Sequence, residues 1–171
     1  MDQLKENEGR VALAFYNQQY KEELRHYHLT DEQVMYSGMP MDSIIACEHD
    51  SERHPIVILY HHKPAGFFVL HGWNGVKPYS QNRRALLLRA FSVNADFQGK
   101  GIASKALCVL DAFINVHFPA TTEVILAVNH KNTIAQHVYE KVGYIDYGTR
   151  VMGKYGELFL LSKRLDERSD S

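Results

Sequence analysis

Ala85-Leu86-Leu87-Leu88-Arg89-Ala90-Phe91-Ser92-Val93, then Asn94-Ala95-Asp96-Phe97, then Gln98-Gly99-Lys100-Gly101-Ile102-Ala103-Ser104: here an apolar run passes through two glycines into a helical pattern. The run is nearly continuous in apolar residues, as expected of a strand buried on both faces of a sheet. Beyond the glycines, Ile102, Ala103, Ala106, Leu107, Leu110, Phe113 and Ile114 recur at helical spacing and mark one core-facing stripe. The first N–H groups of a helix lack internal partners, and the macrodipole adds partial positive charge there. Glycine lets an anion approach such a terminus closely. An acid in a first turn is worth roughly 0.3 to 1 kcal/mol, yet none stands between Asp96 and Asp111, and Lys100 and Lys105 occupy the region instead. Two readings follow, an anion cradle or a plain glycine-containing turn.

Working outward, the helix is expected over 99 to 116, ending before Pro119. The pattern then repeats. Glu123 to Val128 reads as an apolar strand, Asn132 as an N-cap, and Thr133 to Val142 as a helix with Gly143 at C′. Strand, helix, strand, helix implies two neighbouring parallel strands joined by a right-handed crossover. Tyr144 to Tyr147 and Leu158 to Leu165 supply the last strands, and Asp166 to Ser171 reads as a frayed tail. Upstream, Asn74 to Arg84, with Gly75, Pro78, Ser80 and Asn82, reads as a surface loop. Pro55 to Tyr60 and Gly66 to Leu70 read as a hairpin turning at Lys63-Pro64-Ala65. Residues 8 to 25 carry Val11, Ala14, Phe15 and Leu24 at helical spacing and are expected as an amphipathic helix. Thr30 and Gln33 have capping-box spacing for a short helix, Met39-Pro40 breaks the pattern, and a further short helix is expected over Asp42 to Glu48.

With 171 residues, of which 45% are hydrophobic, the chain suits a single domain over 1–171. A formal net charge of -1 without a long basic run argues against nucleic acid or an anionic membrane as the main partner. The acidic, polar start is unlike a secretory signal, and the apolar runs are too short for a bilayer span, so a cytoplasmic protein is expected. Cys47 and Cys108 lie far apart in apolar segments and read as reduced packing residues. Among ten histidines, His26 and His28 alternate and His61 and His62 are adjacent; no ligand-pair spacing appears, so no metal is expected. A homodimer is compatible with the chain, although no heptad marks an interface.

Three phosphate-binding chemistries compete for the glycine turn. An NTPase loop needs Gly-x4-Gly-Lys-Ser/Thr, which the residues around Gly101 do not supply. A dinucleotide fingerprint needs a third small residue at fixed spacing and an acid ending the next strand; Ser104 and Val128-Asn129 stand there. The run Gln98-Gly99-Lys100-Gly101-Ile102-Ala103, however, resembles the Gln/Arg-x-x-Gly-x-Gly/Ala signature of the GCN5-related N-acetyltransferase (GNAT) superfamily. Phe91 to Phe97 resembles the strand and bend preceding that signature, with Ala95 in place of the frequent proline. Asn132-Thr133-Ile134-Ala135-Gln136-His137-Val138-Tyr139-Glu140-Lys141-Val142-Gly143-Tyr144 resembles the family's Asn-x-x-Ala-x-x-x-Tyr-Glu-Lys-x-Gly-Phe segment. The resemblance covers roughly 85–147 and fades over the amino-terminal third, where acetyltransferases usually build the acceptor site.

The resemblance implies an α/β (α+β) fold whose mostly antiparallel, twisted, mixed sheet has a central parallel pair and flanking helices. It also implies transfer of acetyl from acetyl-CoA to a primary amine of a small molecule or peptide, through a tetrahedral intermediate. Main-chain groups of Phe91, Ser92 and Val93 would pair with the pantetheine arm, with the Val93 N–H as oxyanion donor. Gln98, Gly99, Lys100, Gly101, Ile102, Ala103 and Ser104 would take the pyrophosphate, Asn132 would cap its helix and face pantetheine, and Tyr139 would protonate the departing thiolate. Asn132 as a mere cap and Tyr139 as a mere core residue are the bland alternatives. The base is not legible: the central strand has no carboxylate, and Glu157, Asp146, His61, His62 and His71 are candidates alongside relayed water. Arg89, interrupting an apolar strand, needs a structural carboxylate or an acidic acceptor if buried. Phe67, Phe68, His71, Trp73, Tyr79 and Tyr155 could line an aromatic acceptor pocket, though such residues are more often core. The rival function is a non-catalytic CoA-binding regulatory or interaction module.

Overall fold

The computed structural model describes residues 10–165; the proposed tail over 166–171 and the first two residues of the helix proposed for 8 to 25 lie outside them. The chain runs β1 (Val11–Phe15), α1 (Lys21–Arg25), α2 (Asp31–Ser37), α3 (Pro40–Glu48), β2 (Arg53–Tyr60), β3 (Lys63–His71), α4 (Trp73–Val76), β4 (Ala85–Val93), α5 (Ile102–His117), β5 (Glu123–Asn129), α6 (Thr133–Lys141), β6 (Ile145–Gly153) and β7 (Gly156–Arg164). Among the described residues the strands form one seven-stranded sheet in the order β1-β2-β3-β4-β5-β7-β6. Every pairing is antiparallel except β4 with β5, at the centre. This is the mixed, mostly antiparallel α/β architecture expected from the sequence.

Alternation along the strands sorts side chains to two faces. Ile56, Ile58, Phe68 and Leu70 enter the cluster packed by the α5 stripe of Ile102, Ala106, Leu107, Leu110 and Ile114. Their strand neighbours Val57, Phe67 and Val69 enter the opposite cluster, with Leu24 and Tyr27 from the α1 region and Ile44 of α3. A third cluster, Val76, Ala85, Leu87 and Ile125, seats α4 against the same end of the central pair.

The structure corrects several expectations. The helix read over 8 to 25 is strand β1 followed by a 3-10 turn and α1. Val11, Ala14 and Phe15 fit helical spacing, but a five-residue apolar run also suits a strand, and antiparallel pairing of Val11–Phe15 with Tyr60 to Ile56 decides it. Asn17 then ends the strand by accepting the Gln19 N–H (3.0 Å). The hairpin turns at His61-His62, both at positive φ, rather than at Lys63-Pro64-Ala65. A turn of that hand usually advertises itself with Asn or Gly, so two histidines gave no signal. Pro64 lies inside β3 beside a register shift, where a missing donor is tolerated. Pro40 starts α3 instead of breaking it, because proline suits a first helical turn. The loop expected over Asn74 to Arg84 begins within helix α4, and α5 starts at Ile102 rather than 99, because Gly99 and Gly101 are left-handed. Cys108 is exposed rather than a packing residue; both cysteines are free.

β4 departs from the expected uninterrupted buried strand. Ala85 to Leu88 are buried, but Arg89 is exposed and Ala90 has φ 56°. Between Val69↔Arg89 and Phe67↔Ser92, two steps on β3 oppose three on β4, so Ala90 is the extra residue of a bulge. The bulge reverses the alternation: Leu86 and Leu88 before it, and Phe91 and Val93 after it, pack on the same cluster.

Candidate active site

β4 and β5 pair over Ala85 to Leu88 and Glu123 to Leu126. Beyond Leu88 and Leu126 they part, and Arg89 to Val93 on one side and Ala127 to Asn129 on the other line a cavity of about 480 Å³. That size suits a small-molecule site. The parting has local causes. The Ala90 bulge bends β4, while the far end of β5 is held to β7 by Asn129↔Leu158 and by Asn129 Nδ2 donating to the Tyr155 carbonyl (3.0 Å). Gln136 of α6 also donates to the Asn129 carbonyl (3.0 Å).

At one end the cavity meets the start of α5. Gly99 (φ 80°) and Gly101 (φ 72°) are both left-handed, which is why glycine stands there, and a Cβ on either would meet nothing within 4 Å. Lys105 N–H donates to Gly101 O (3.1 Å), so the N–H groups of Ile102, Ala103 and Ser104 precede the first bond of the helix. No acid occupies that turn. Open space, free donors and the positive end of a 16-residue dipole form a fitting cradle for a phosphate. Gln98, Gly99, Gly101, Ile102, Ala103 and Ser104 line the cavity; Lys100 is exposed and is not among the lining residues.

Along the middle of the cavity, Gln98 Nε2 donates to the Val93 carbonyl (3.3 Å). Asn94 donates its N–H across to Ala65 O (2.8 Å) on the β3 side. By strand alternation the Val93 N–H therefore points to the other edge, where β5 has withdrawn. Ser92 turns its hydroxyl to the opposite face, 2.9 Å from Tyr27 Oη, leaving its main chain at the cavity. From the far wall, Asn132 caps α6 by accepting the Ala135 N–H (3.3 Å) and lines the cavity beside Tyr139. Tyr139 is buried, edge-on to Phe91 (centroids 6.1 Å) and to Tyr144 (5.7 Å). Burial raises its phenol above the ordinary value, so it keeps its proton at neutral pH. The structure thus brings together both sequence motifs, which the chain separates by a helix and a strand.

Other sequence candidates do not arrive there. Asp146 is paired with Arg150 (2.8 Å), and Glu157 lies 3.9 Å from the same guanidinium. His61 and His62 form the β2–β3 turn. His71 is 2% exposed with both ring nitrogens engaged, Nδ1 by Arg89 (3.2 Å) and Nε2 by Asp50 Oδ2 (2.9 Å). None of these lines the cavity, nor do the six aromatics proposed as a pocket. Phe67 and Phe68 are wholly buried on the two faces of β3, Trp73 and Tyr79 pack on the α4 cluster, and Tyr155 is exposed in the β6–β7 turn. Sequence reasoning missed the lid. Glu32, Gln33, Tyr36 and Ser37 of α2, which packs against β4, also line the cavity. The capping box that starts α2 was visible, with Thr30 and Gln33 bonded reciprocally (3.0 and 3.3 Å), but nothing local told what α2 would cover. Among the described residues no group of three or more His, Cys, Asp or Glu could hold a metal ion, and no helix is long and apolar enough to cross a membrane.

Comparison with known proteins agrees with this geometry. The model of the acetyltransferase (GNAT) family matches residues 14–144. The uncharacterized N-acetyltransferase YbbJ of Bacillus subtilis (strain 168) is 39% identical over 152 residues, which span 88% of this chain and 95% of YbbJ. Spermidine N-acetyltransferase from Vibrio cholerae, solved with CoA and spermine, superposes with a TM-score of 0.69 at 15% identity, covering 91% of this chain and 95% of that one. Aminoglycoside acetyltransferase AAC(6')-Ib, solved with coenzyme A and kanamycin, gives 0.73 at 16% identity with coverage of 91% and 95%. At those identities the two structures speak for the fold, while the family model and the Bacillus relative speak for descent: the chain belongs to the GNAT acetyltransferase family.

Proposed function

We propose that the chain is an acetyl-CoA-dependent N-acetyltransferase, acting on a primary amine of a small molecule or peptide by direct attack on the thioester. The observation that carries this reading is the continuity of the cavity, from the unpartnered N–H groups at the start of α5 to the parted edge of β4. Acetyl-CoA needs an anion cradle, a main-chain edge for its pantetheine arm and a donor where the carbonyl oxygen becomes negative. Gln98 to Ser104 serve the pyrophosphate; Lys100 contributes its main chain between the glycines. Phe91 to Val93 offer the edge, and the Val93 N–H serves the developing oxyanion. One such preorganised donor is worth roughly 3 to 4 kcal/mol of barrier.

Asn132 faces the pantetheine arm while capping α6. Tyr139, buried and protonated, is the donor for the departing thiolate: burial keeps the proton in place, although it also makes the phenol a weaker acid. Glu32 is the carboxylate among the cavity-lining residues, and in this reading it takes the proton of the attacking amine, directly or through water.

Titration calorimetry with acetyl-CoA, followed by thiol release across an amine panel, tests the proposal. Saturable binding and amine-dependent release are expected. Binding without release would make the chain a non-catalytic CoA-binding module, and no binding at all would return the glycine turn to a structural role.

A further inference from the structure

Arg89 closes the paired part of β4, one residue past Leu88↔Leu126, and is the first β4 side chain to stand exposed in the cavity wall. It is not a loose surface cation. Its Nη1 donates to His71 Nδ1 (3.2 Å), and the same ring donates from Nε2 to Asp50 Oδ2 (2.9 Å). His71 is buried, and burial lowers its pKa, which suits the neutral ring this relay requires. The ring in turn rests on Gly75, where a Cβ would come within 2.3 Å of Nδ1. A glycine, a buried histidine and a carboxylate thus fix the side from which Arg89 enters the cavity.

What the relay does not give Arg89 is a carboxylate of its own: among the described residues it forms no direct ion pair. Burial also disfavours its charge. A partly desolvated guanidinium with most of its donors unused is matched by a planar anion that arrives with a ligand. That anion is not the pyrophosphate. Arg89 pairs with Val69 and Val93 with Gly66, three residues apart on β3 and so about 10 Å at strand rise, and the glycine cradle lies beyond Val93. Charge in the lining agrees: Glu32 and Arg89 are its charged side chains among the described residues, one of each sign. A polycation would find one carboxylate there, and one cation in the same lining.

We infer that the acceptor is an amine bearing a carboxylate, and that Arg89, held by His71, is the residue that selects it. The inference rests on the acetyl-transfer reading. Arg89 binds the carboxylate in a charge-assisted, two-pronged contact and turns the amine toward the parted edge of β4, where the thioester carbonyl lies. Arg89 is thus a specificity residue, and His71 and Gly75 position it.

The experiment compares matched acceptors with acetyl-CoA at saturation: L-amino acids against their carboxamides, and β-alanine against β-alaninamide, read by thiol release. At least one carboxylate member should exceed its amide by about 10- to 100-fold in kcat/KM, the range of a charge-assisted hydrogen bond, with the difference carried by the acceptor KM. Arg89→Gln should bring each pair to near parity with the acetyl-CoA Kd unchanged, and Arg89→Lys should keep part of the preference. Amides equal to or better than the carboxylates in the unmodified protein would overturn the inference, whether or not the variants fold. A preference that survives Arg89→Gln would overturn the role of Arg89. If amides alone are acetylated, only this inference fails; if acetyl-CoA does not bind, or no amine releases thiol, the acetyl-transfer reading fails with it.

Discussion

Tyr139 is a packed core residue and also the proposed acid of the reaction. Its ring meets Phe91 and Tyr144, so removing the whole side chain would open the core and confuse the two roles. Tyr139→Phe removes only the hydroxyl. Turnover at saturating substrates should fall by about 100-fold or more, within the usual range for a positioned acid, while the acetyl-CoA Kd stays within about threefold. Unchanged turnover in steady-state assays would reject the acid role. Arg89 illustrates the converse. A charge in an apolar strand pattern signalled that something unusual was present, but its partner, a histidine on the neighbouring strand rather than a carboxylate, depends on register that no local pattern contains.

At the scale of elements, the cavity is made by two irregularities, the Ala90 bulge in β4 and the left-handed pair ahead of α5. The bulge swings β4 away from β5 and flips its alternation, so that Phe91 and Val93 share a face with Leu86 and Leu88. The glycine pair leaves the first donors of α5 open. Gly101→Ala isolates the second device. A left-handed alanine costs roughly 1 to 2 kcal/mol, and its Cβ would meet no protein atom within 4 Å. Urea unfolding should therefore report a loss of that size. Acetyl-CoA affinity, measured by calorimetry on the folded variant, should fall by about tenfold or more because the new methyl group points into the cradle. A stability loss with full affinity would mean that the glycine serves the turn alone.

At the scale of the whole molecule, α5 and α6 cover one face of the sheet, α1 to α3 the other, and the relay from Arg89 through His71 ends on Asp50 in the loop between α3 and β2. That relay makes stability depend on pH. Burial holds His71 below the ordinary histidine value of 6.5, so the unfolded chain binds a proton that the native chain refuses once pH falls below about 6.5. Stability from this group is therefore complete above that value and is lost as pH drops toward the depressed native pKa. Tm should decline between pH 7 and 5 in the native chain, and His71→Gln should show a lower Tm at pH 7 but a flatter decline; an equally steep profile would remove His71 as the cause. The sequence by itself determined the alternation of strands and helices around the central parallel pair, the glycine start of α5 and the Asn132 cap. Each rests on chemistry within a few residues: apolar period, φ freedom and hydrogen-bonding reach. Tertiary structure alone decided that Val11 to Phe15 would be a strand, that α2 would roof the cavity and that His71 would hold Arg89. Edge pairing, layer packing and cross-strand register join residues far apart in the chain, where local preference is weaker than the energy of burial.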